Sequence, residues 1–492
     1  MKDTAKRILV ALLAGVMCIG FAGCNSNTND KNDETTAEAE NTMDKTTVEE
    51  TTVEETTEEI TEEGSTEAAE TEPEAVEVNT KNGMDGFDIT YYWGPHGEQM
   101  IDESFFEKIA EAGFTSIPLE HGSVEYNKIA LGYIRKYGMT CSSLMDTRID
   151  NLAGHDRSVS PDTPQEEVDR VVSEVVAEYA DYMDVIKGWW IQDEPIEARF
   201  EILSKIVKAF RKYSPDKTTM INLFPVYADS SVFGPGGYQG YLDAFIDQVD
   251  PHYISYDHYH FFANGSARDD FFMNLEMVRD KAIESNRAPM IIILITRHFD
   301  YADVTPGQIA WEVNTSLTYG MKRISYFTFI LDQDLLNEGW TNAFMSYTGE
   351  IWPHYYDVQK VNEWLLPLGT ELFEKESTAV FHTKDRKNTS LEVGCEEYIS
   401  YGDLGHVAGQ NFVIGFFDDG SFMITNKTYK ESDGKYNTLT FSDIESGLEY
   451  FDTESASWRN AEEDGIVTRN YYGKLCRKFD LGEGILFRVN KG

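Results

Sequence analysis

Residues 188–195 read Gly-Trp-Trp-Ile-Gln-Asp-Glu-Pro. Its apolar start is typical of a strand that is buried on both faces, as in a parallel sheet. The strand ends in two adjacent carboxyl residues, Asp193 and Glu194. Carboxyl groups at such a place cost free energy unless they are exposed to solvent, paired with other groups or used in function. The segment therefore predicts a parallel sheet with a polar site at the strand ends.

Seven further segments have a strand-like pattern, and amphipathic helices lie between them. The eight strands are predicted at Asp88–Trp93, Ser116–Glu120, Thr140–Asp146, Ile186–Asp193, Thr218–Phe224, Tyr253–Tyr259, Met290–Thr296 and Arg323–Ile330. The helices are predicted at Glu103–Ala112, Tyr126–Tyr137, Gln165–Tyr182, Ile202–Tyr213, Tyr241–Gln248, Phe271–Asn286, Pro306–Tyr319 and Val358–Leu368. This alternation favours an α/β fold, a (β/α)₈ TIM barrel over residues 83–374. A doubly wound open sheet is the alternative, but no Gly-rich fingerprint follows the first strand.

The last part of the chain, residues 375–492, has short apolar runs separated by turn residues. Asp419-Gly420 between two such runs is a strong hairpin signal. We expect a C-terminal antiparallel β-sandwich packed against the barrel. Cysteines are too few for a disulfide framework, although one Cys395–Cys476 bridge is possible.

The N-terminus has the order of a bacterial secretory signal. Three basic residues precede an apolar run over residues 8–21, which is too short to span a membrane comfortably. Phe21-Ala22-Gly23-Cys24 resembles the lipobox of bacterial lipoproteins, which implies a lipid on Cys24. We expect residues 1–24 to be a signal peptide and the protein to be anchored at the extracellular face of the cell membrane. An ordinary signal peptide with a chance cysteine is the alternative.

Charge restricts the classes of partner. Residues 25–82 are rich in Thr and Glu and nearly lack large apolar side chains, so we expect a disordered tether. The whole chain has a formal net charge of −44. Such acidity disfavours nucleic acid and anionic surfaces and fits a neutral ligand.

Chemistry is expected at the C-terminal ends of the barrel strands. With regular alternation, Glu194 would share a face with Gln192 and Trp190. Trp190 would then desolvate Glu194 and raise its pKa, as suits a general acid that protonates a leaving oxygen. The alternative is that Asp193 or Glu194 caps the next helix, since Pro195 suits a first helical position.

These residues resemble a known pattern. Gln192-Asp193-Glu194-Pro195 is similar to the Asn-Glu-Pro of clan A glycoside hydrolases, whose strand-four glutamate is the acid/base. Residues 306–327, which include Leu317-Thr318-Tyr319-Gly320 and Ile324-Ser325-Tyr326-Phe327, resemble the end of the barrel in glycoside hydrolase family 42. The resemblance covers most of residues 83–492 and implies a glycosidase with Glu194 as acid/base.

The expected nucleophile is missing. The clan places a glutamate at the end of strand seven, where this chain has Thr296, with no carboxylate before Asp300. Asp257 at the end of strand six is the most plausible partner for Glu194, with Asp193 as a further catalytic candidate. Asp257 could equally be a structural hydrogen-bond acceptor. The separation of the carboxyl groups would decide between retention and inversion.

Further polar and aromatic residues are predicted at the strand ends, and a sugar ring needs both an apolar platform and polar edges. We expect substrate-binding roles for Trp93, His96, Glu120, Asp146, Asn222, Tyr259, His298 and Trp340. Arg148 is a weaker candidate. Alternating His258 and His260 require a metal site to be considered, but neutral histidines that bind hydroxyl groups explain them equally well.

Two functions therefore compete. The first is an extracellular glycosidase that needs no metal or cofactor and acts on an oligosaccharide or polysaccharide. The second is a non-catalytic glycan-binding surface lipoprotein that has lost the strand-seven nucleophile. A metal-dependent hydrolase is a third and weaker possibility. The first two share one cleft, so the fold cannot separate them.

Overall fold

The computed structural model describes residues 84–154, 162–385 and 390–490. The predicted signal peptide, Cys24 and the tether lie outside these residues. Within the described part of the chain, no helix is long and apolar enough to cross a membrane.

Eight parallel strands form one sheet in the order β1-β8-β7-β6-β5-β4-β3-β2. They are β1 (Asp88–Tyr92), β2 (Ser116–Leu119), β3 (Thr140–Leu144), β4 (Gly188–Asp193), β5 (Thr218–Leu223), β6 (Tyr253–His258), β7 (Ala288–Leu294) and β8 (Arg323–Phe327). At the remaining seam, the Thr115 N–H donates to Ile89 O at 3.1 Å and the Ile89 N–H donates to the Thr115 hydroxyl at 3.0 Å. The sheet is therefore a near-closed barrel, and the open-sheet alternative is wrong.

Helices connect and surround the strands. They are α1 (Glu103–Glu111), α2 (Val124–Lys136), α3 (Thr147–Ala153), α4 (Gln165–Glu178), α5 (Phe200–Tyr213), α6 (Gly237–Ala244), α7 (Phe271–Ser285), α8 (Pro306–Thr318), α9 (Gln333–Asn337) and α10 (Pro353–Phe373). The start of α8 shows how local chemistry sets a boundary. The Thr305 hydroxyl accepts from the Gln308 N–H at 3.3 Å, while the Gln308 side chain accepts from the Thr305 N–H at 2.9 Å. This capping box, with Pro306 next, fixes the first turn.

A short parallel pair, β9 (Ile330–Leu331) with β10 (Met345–Ser346), follows the barrel strands. Two antiparallel sheets then make up the C-terminal part. The larger has the order β11-β13-β14-β20-β16-β17 and the smaller the order β12-β15-β19-β18. Their strands are β11 (Ser377–His382), β12 (Val407–Ala408), β13 (Phe412–Phe417), β14 (Phe422–Asn426), β15 (Tyr436–Phe441), β16 (Leu448–Asp452), β17 (Ser457–Asn460), β18 (Thr468–Arg469), β19 (Leu475–Asp480) and β20 (Gly484–Val489). A separate apolar core lies among them, and the predicted β-sandwich is confirmed.

The sandwich packs on α8. The hydroxyl groups of Thr318 and Thr425 lie 2.8 Å apart, and the Asn314 amide donates to Gly482 O at 2.9 Å. Gly415 on β13 allows the closest approach, because a Cβ atom there would lie 1.9 Å from Thr318 O. The barrel and the sandwich therefore meet through main-chain contact that only a glycine permits.

The three described cysteines, Cys141, Cys395 and Cys476, are free thiols. The possible Cys395–Cys476 bridge is therefore not formed. Cys476 instead lies 3.2 Å from the Thr440 hydroxyl of the neighbouring strand.

Candidate active site

The C-terminal ends of β1–β8 form the barrel mouth, and β4 enters it with an irregularity. Trp190 pairs with Met220 and Asp193 pairs with Asn222, so three steps along β4 match two steps along β5. An extra residue in one strand reverses the alternation of side chains beyond it. Asp193 rather than Glu194 therefore shares the face of Trp190.

Tyr92 on β1 confirms this orientation. The Trp190 indole N–H donates to the Tyr92 hydroxyl at 3.4 Å, and the same hydroxyl is hydrogen-bonded to the Asp193 carboxylate. Both β4 side chains thus point into the barrel. The prediction that Glu194 shares a face with Trp190 is wrong, because it assumed a regular strand between them.

Asn222 at the end of β5 joins two carboxyl groups. Its side-chain nitrogen donates to Asp193 Oδ1 at 3.1 Å and to Asp257 Oδ1 at 3.0 Å. Its side-chain oxygen accepts from the Ser255 hydroxyl at 2.9 Å, which fixes the orientation of the amide. The distance between Asp193 Oδ1 and Asp257 Oδ1 is therefore at most the sum of these two hydrogen-bond lengths, about 6 Å.

Asp257, the last residue but one of β6, is 6% exposed. Burial is the main cause that raises its pKa well above the usual range, and the neighbouring Asp193 carboxylate raises it further. The hydrogen bond from Asn222 opposes this shift only in part. Asp257 is therefore suited to hold a proton near neutral pH, beside a second carboxyl group.

Glu120, directly after β2, is a second buried acid in the mouth. It accepts the N–H of Gly94 at 3.2 Å and also that of Trp93. Burial raises the pKa of Glu120 to about 8, and the charge of Asp193 contributes to the rise. Glu120 therefore lies in the same polar cluster as Asp193 and is held by the loop that follows β1.

Glu194 is the first residue after β4, and its φ of 44° turns the chain away from the strand direction. Its N–H donates to Asn222 O at 2.8 Å. The charges of Asp257, Glu194 and Asp193 all add to the rise that burial causes in the pKa of Tyr259. The three carboxyl groups thus act on one tyrosine at the mouth, and Glu194 stays a candidate beside the Asp193–Asp257 pair.

Asp146 has a local structural role. It is the N-cap of α3, where it accepts the Arg148 N–H at 2.9 Å, and its carboxylate also pairs with the Arg148 guanidinium at 2.9 Å. The Tyr179 hydroxyl donates to it at 3.2 Å. These bonds account for both Asp146 and Arg148 without a ligand.

The end of β7 carries no carboxyl group. Thr296 lies there fully buried, and its hydroxyl accepts the N–H of Thr328 at 3.1 Å. The next acid along the chain, Asp300, is exposed. The hydroxyl of Thr296, the residue that the sequence places at this strand end, is therefore bonded to the segment directly after β8.

Aromatic rings line the β6–β8 side of the mouth. His298 stacks on Trp340 at 4.0 Å between ring centroids, and Tyr259 stacks on Phe327 at 5.7 Å. Trp340 is only 3% exposed, so one face of its ring is already covered by His298. Tyr259, which is half-buried, is the more accessible surface on this side.

Trp93 lies at the end of β1, the strand next to β8 in the barrel. It follows β1 with a φ of 65°, and its half-exposed ring packs 4.9 Å from the ring of His121 and 6.0 Å from that of His96. His96 also bonds with Gly94 O at 3.1 Å, so it holds the loop that carries Trp93. Trp93 and Tyr259 thus both contribute aromatic rings to the mouth.

His258 and His260 pack behind the barrel wall. His258 is fully buried, with Nε2 3.1 Å from Asp270, and His260 stacks on Trp311 of α8 at 4.8 Å. These contacts support a packing role for both histidines.

One group of side chains in the described part of the chain is close enough to share a metal ion, and it lies in the sandwich. It consists of His382, Glu392 and Cys395. The Lys427 ammonium already donates to both Glu392 oxygens, at 2.9 and 2.8 Å. This lysine supplies the positive charge that a metal would bring, so the residues do not fit an ion well.

Comparison by sequence finds no matching protein-family model and no matching curated protein. Comparison of folds finds glycoside hydrolases. A catalytic mutant of Gan42B, a GH42 β-galactosidase from G. stearothermophilus, matches with a TM-score of 0.57 at 8% identity, over 84% of this chain and 100% of that one. The fold of this chain is therefore similar to that of a glycoside hydrolase barrel. The predicted resemblance to family 42 is confirmed at this level.

Two other β-galactosidases match less closely. The enzymes from the psychrophilic Marinomonas ef1 and from Bacillus circulans sp. alkalophilus give TM-scores of 0.42 and 0.46, each at 9% identity. These matches cover 58% and 61% of this chain, which spans 62% and 58% of the two enzymes. At such identities the likeness concerns the fold alone.

Tyr92 is the site residue that the sequence did not indicate. It lies one position before Trp93, at the last position of β1, and links Trp190 to Asp193. Its position at the C-terminal end of a predicted strand was the one feature of the sequence that could have marked Tyr92 as a site residue. Regular alternation gave no reason to connect it with Asp193 on another strand.

Proposed function

We propose that the protein is a glycoside hydrolase that acts on a neutral glycan, with Asp257 as general acid and Asp193 as the facing carboxylate. The observation that carries the proposal is the Asn222 bridge. It holds a buried carboxyl group of raised pKa within about 6 Å of a second one, at the mouth of a glycoside hydrolase barrel. Two such carboxyl groups are the machinery that glycosidic bond cleavage requires.

The spacing supports a retaining mechanism, since carboxyl groups lie about 5–5.5 Å apart in retaining enzymes and about 6.5–9.5 Å apart in inverting ones. In the first step, an Asp193 oxygen bonds to the anomeric carbon as the bond from that carbon to the glycosidic oxygen breaks. The Asp257 proton passes to the glycosidic oxygen, and the leaving group departs as an alcohol. In the second, the Asp257 carboxylate takes a proton from water, and the hydroxide oxygen replaces Asp193 on that carbon. Tyr92 and Asn222 orient Asp193 throughout.

Glu194 is the competing general acid, as the resemblance to clan A implies. It is half-buried, adjacent to Asp193, and close enough to affect Tyr259. The two assignments make opposite predictions for substitutions. If Asp257 is the general acid, Asp257→Asn removes the acid and Glu194→Gln has no severe effect on turnover. If Glu194 is the general acid, Glu194→Gln lowers turnover severely and Asp257→Asn removes the partner carboxylate.

A neutral sugar is the substrate class that best fits the mouth. Trp93 and Tyr259 offer aromatic surface at the mouth, and the chain has a formal net charge of −44. Neutral hydroxyl groups can bond to protonated and ionised carboxyl groups alike, while an anionic sugar would be repelled. Because the structures of similar fold include β-galactosidases, β-galactosides are the first substrates to test.

The test is hydrolysis of an aryl-glycoside and oligosaccharide panel by the purified chain. Asp257→Asn, Asp193→Asn and Glu194→Gln are assayed beside the exposed control Asp300→Asn. We expect turnover of at least one neutral oligosaccharide, whose leaving group needs a proton, to be lost on substitution of Asp257 or Asp193 and to be unchanged in the control. Turnover unaffected by Asp257→Asn and Asp193→Asn would contradict the proposal.

Thr296 supports the second candidate, a glycan-binding protein without catalysis. The position where the clan carries its nucleophile is occupied by a buried hydroxyl that bonds to Thr328. This candidate predicts that wild-type protein and Asp257→Asn bind oligosaccharides equally and that neither hydrolyses any member of the panel.

We further propose that the protein is anchored by a lipid on Cys24 at the extracellular face of the membrane. The lipobox-like Phe21-Ala22-Gly23-Cys24 and the acidic segment after it support this location. Metabolic labelling with a fatty acid should mark the wild-type protein and not Cys24→Ser. Equal labelling of both would contradict the anchor.

A further inference from the structure

Arg268 lies in the loop between β6 and α7, and its side chain joins three loops of the barrel mouth. Its guanidinium carbon lies 3.5 Å from the centroid of the Tyr227 ring, which follows β5. Arg268 Nη2 donates to the hydroxyl of Tyr301, which follows β7, at 3.0 Å. Arg268 Nε donates to Tyr259 O, directly after β6, at 3.0 Å. One planar cation therefore connects the loops that follow three neighbouring strands.

These contacts converge on Tyr259. Since β6 pairs with β7 only as far as His258, Tyr259 lies just beyond the strand ladder. Its N–H donates to the Tyr227 hydroxyl at 3.2 Å, and its carbonyl accepts from Arg268. The Tyr301 ring packs edge-on against the Tyr259 ring, with centroids 5.5 Å apart. Both main-chain polar groups and the ring of Tyr259 are thus held by Arg268 or by a tyrosine that Arg268 contacts.

Asp257, two residues earlier, is held by other groups. It lies within the paired part of β6, and Asn222 donates to its carboxyl group. Burial raises the pKa of Asp257, and the charge of Arg268 opposes this rise in part. A lysine at position 268 keeps that charge. Arg268→Lys should therefore release Tyr259 while it leaves the position and the charge environment of Asp257 nearly unchanged.

The guanidinium of Arg268 is already engaged on several sides. Tyr227 covers one face, and the guanidinium carbon lies 5.0 Å from the centroid of the Phe262 ring. Its Nε and Nη2 groups donate to protein oxygens. An arginine in such contacts is suited to fix neighbouring side chains rather than to bind a charged group of a ligand.

We propose that Arg268 is a positioning residue that holds the Tyr259 ring as an aromatic face of the sugar site. That Tyr259 meets a sugar rests on the proposed function, whereas the hold on Tyr259 rests on the contacts alone. Tyr227 and Tyr301 extend this hold, because each contacts both Arg268 and Tyr259.

The first test needs no sugar. Hydrogen exchange is followed by mass spectrometry of peptides that cover residues 259–262, in the wild type, Arg268→Lys and Tyr301→Phe. Arg170→Lys is the control, since Arg170 forms exposed ion pairs on α4. Lysine lacks the planar fork that stacks and donates in two fixed directions.

We expect exchange over residues 259–262 to be about fivefold faster in Arg268→Lys, the usual effect of losing one hydrogen bond. Tyr301→Phe, which loses one bond and keeps its ring, should show a smaller increase, and Arg170→Lys none. Unchanged exchange in both Arg268→Lys and Tyr301→Phe would overturn the hold on Tyr259.

The second test is a double-mutant cycle of Arg268→Lys and Tyr259→Ala. It uses KM for an oligosaccharide that the wild type hydrolyses, or Kd for β-1,4-galactotetraose by calorimetry where none is hydrolysed. Tyr259→Ala should raise this constant about five- to tenfold, as loss of a stacking contact does. Arg268→Lys should raise it nearly as much, and the double variant no more than Tyr259→Ala alone. The value of kcat should stay nearly unchanged.

The outcomes separate this role from others. Effects that multiply in the double variant would show that Arg268 acts on the sugar directly, and would overturn the positioning role. A lower kcat at unchanged KM in Arg268→Lys would overturn it as well, because that pattern reports a disturbed acid pair or fold. If no sugar is bound or hydrolysed while exchange is faster in Arg268→Lys, the proposed function fails and the hold on Tyr259 stands.

Discussion

Asn222 makes three side-chain hydrogen bonds, and each of them constrains the proposed chemistry. Two hold the carboxyl groups of Asp193 and Asp257, and the third, from Ser255, prevents the amide from turning over. A neutral donor between two acids brings them together without adding a positive charge that would lower both pKa values. Asn222 is therefore a positioning residue whose loss should affect rate more than folding.

We predict that Asn222→Ala lowers kcat by about a hundredfold, because misplacement of a reacting group by 1 Å has an effect of that order. Stability should fall by about 1–3 kcal/mol, the usual consequence of leaving the Ser255 hydroxyl without its buried acceptor. Steady-state kinetics and urea unfolding measure the two effects. A variant that keeps half of the wild-type kcat would show that the bridge does not position the acids.

Glu120 is a single residue whose protonation can be tested through the pH dependence of folding stability. Its pKa is about 8 in the folded protein and about 4.3 in an unfolded chain, so the folded state binds the extra proton between these values. The stability that this proton provides is fully present below about pH 4 and is lost as the pH rises through about 8.

Glu120→Gln should therefore lose less stability than the wild type between pH 5 and pH 8, because its amide cannot ionise. The amide oxygen can still accept the Gly94 N–H. Urea unfolding at several pH values measures the difference, with the exposed Glu98→Gln as control. Parallel curves for Glu120→Gln and the wild type would contradict the buried, protonated state of Glu120.

At the scale of elements, periodicity predicted all eight barrel strands and the longer helices. The helix predicted at Val358–Leu368 extends over Pro353–Phe373, and the short helices α3 and α9 were not predicted. Strand four was predicted at Ile186–Asp193 and is observed at Gly188–Asp193. Buried parallel strands are predicted reliably from the sequence because nearly every position in them is apolar. The bulge after Trp190 could not be predicted from this apolar pattern, since it depends on how β4 pairs with β5 rather than on the residues of β4 alone.

The same limit applied to the candidate site. Sequence placed Glu120, Asn222 and Asp257 at strand ends, and the structure brings all three to the mouth. The sequence could not show that Asn222 joins Asp193 to Asp257. It also could not show that Asp146 is the N-cap of α3. Contacts between strands depend on register and closure, which one-dimensional patterns do not contain.

At the scale of the whole molecule, the sandwich and the barrel are joined by close main-chain packing. Gly415→Ala would place a Cβ atom against Thr318 O, and we expect it to reduce stability by about 1–3 kcal/mol or more, as overpacked cores do. Gly132→Ala on α2 is the matched control, because a Cβ atom there meets nothing within 4 Å.

The control should gain about 0.5–1 kcal/mol, since alanine favours a helix interior over glycine. Thermal and urea unfolding of both variants measure the contrast. If Gly415→Ala were as stable as the wild type, the barrel and the sandwich would not be packed as tightly as the structure places them.

The role of Asp257 as general acid is the central claim, and dependence on the leaving group tests it most directly. Asp257→Asn is compared with the wild type on two aryl-glycosides of the hydrolysed sugar, one with a 2,4-dinitrophenyl and one with a 4-methoxyphenyl leaving group. The first needs no protonation, so we predict little loss of kcat/KM there and a loss of about 10²–10⁴-fold on the second. An equal loss on both substrates, or the same leaving-group dependence in Glu194→Gln instead, would contradict the assignment.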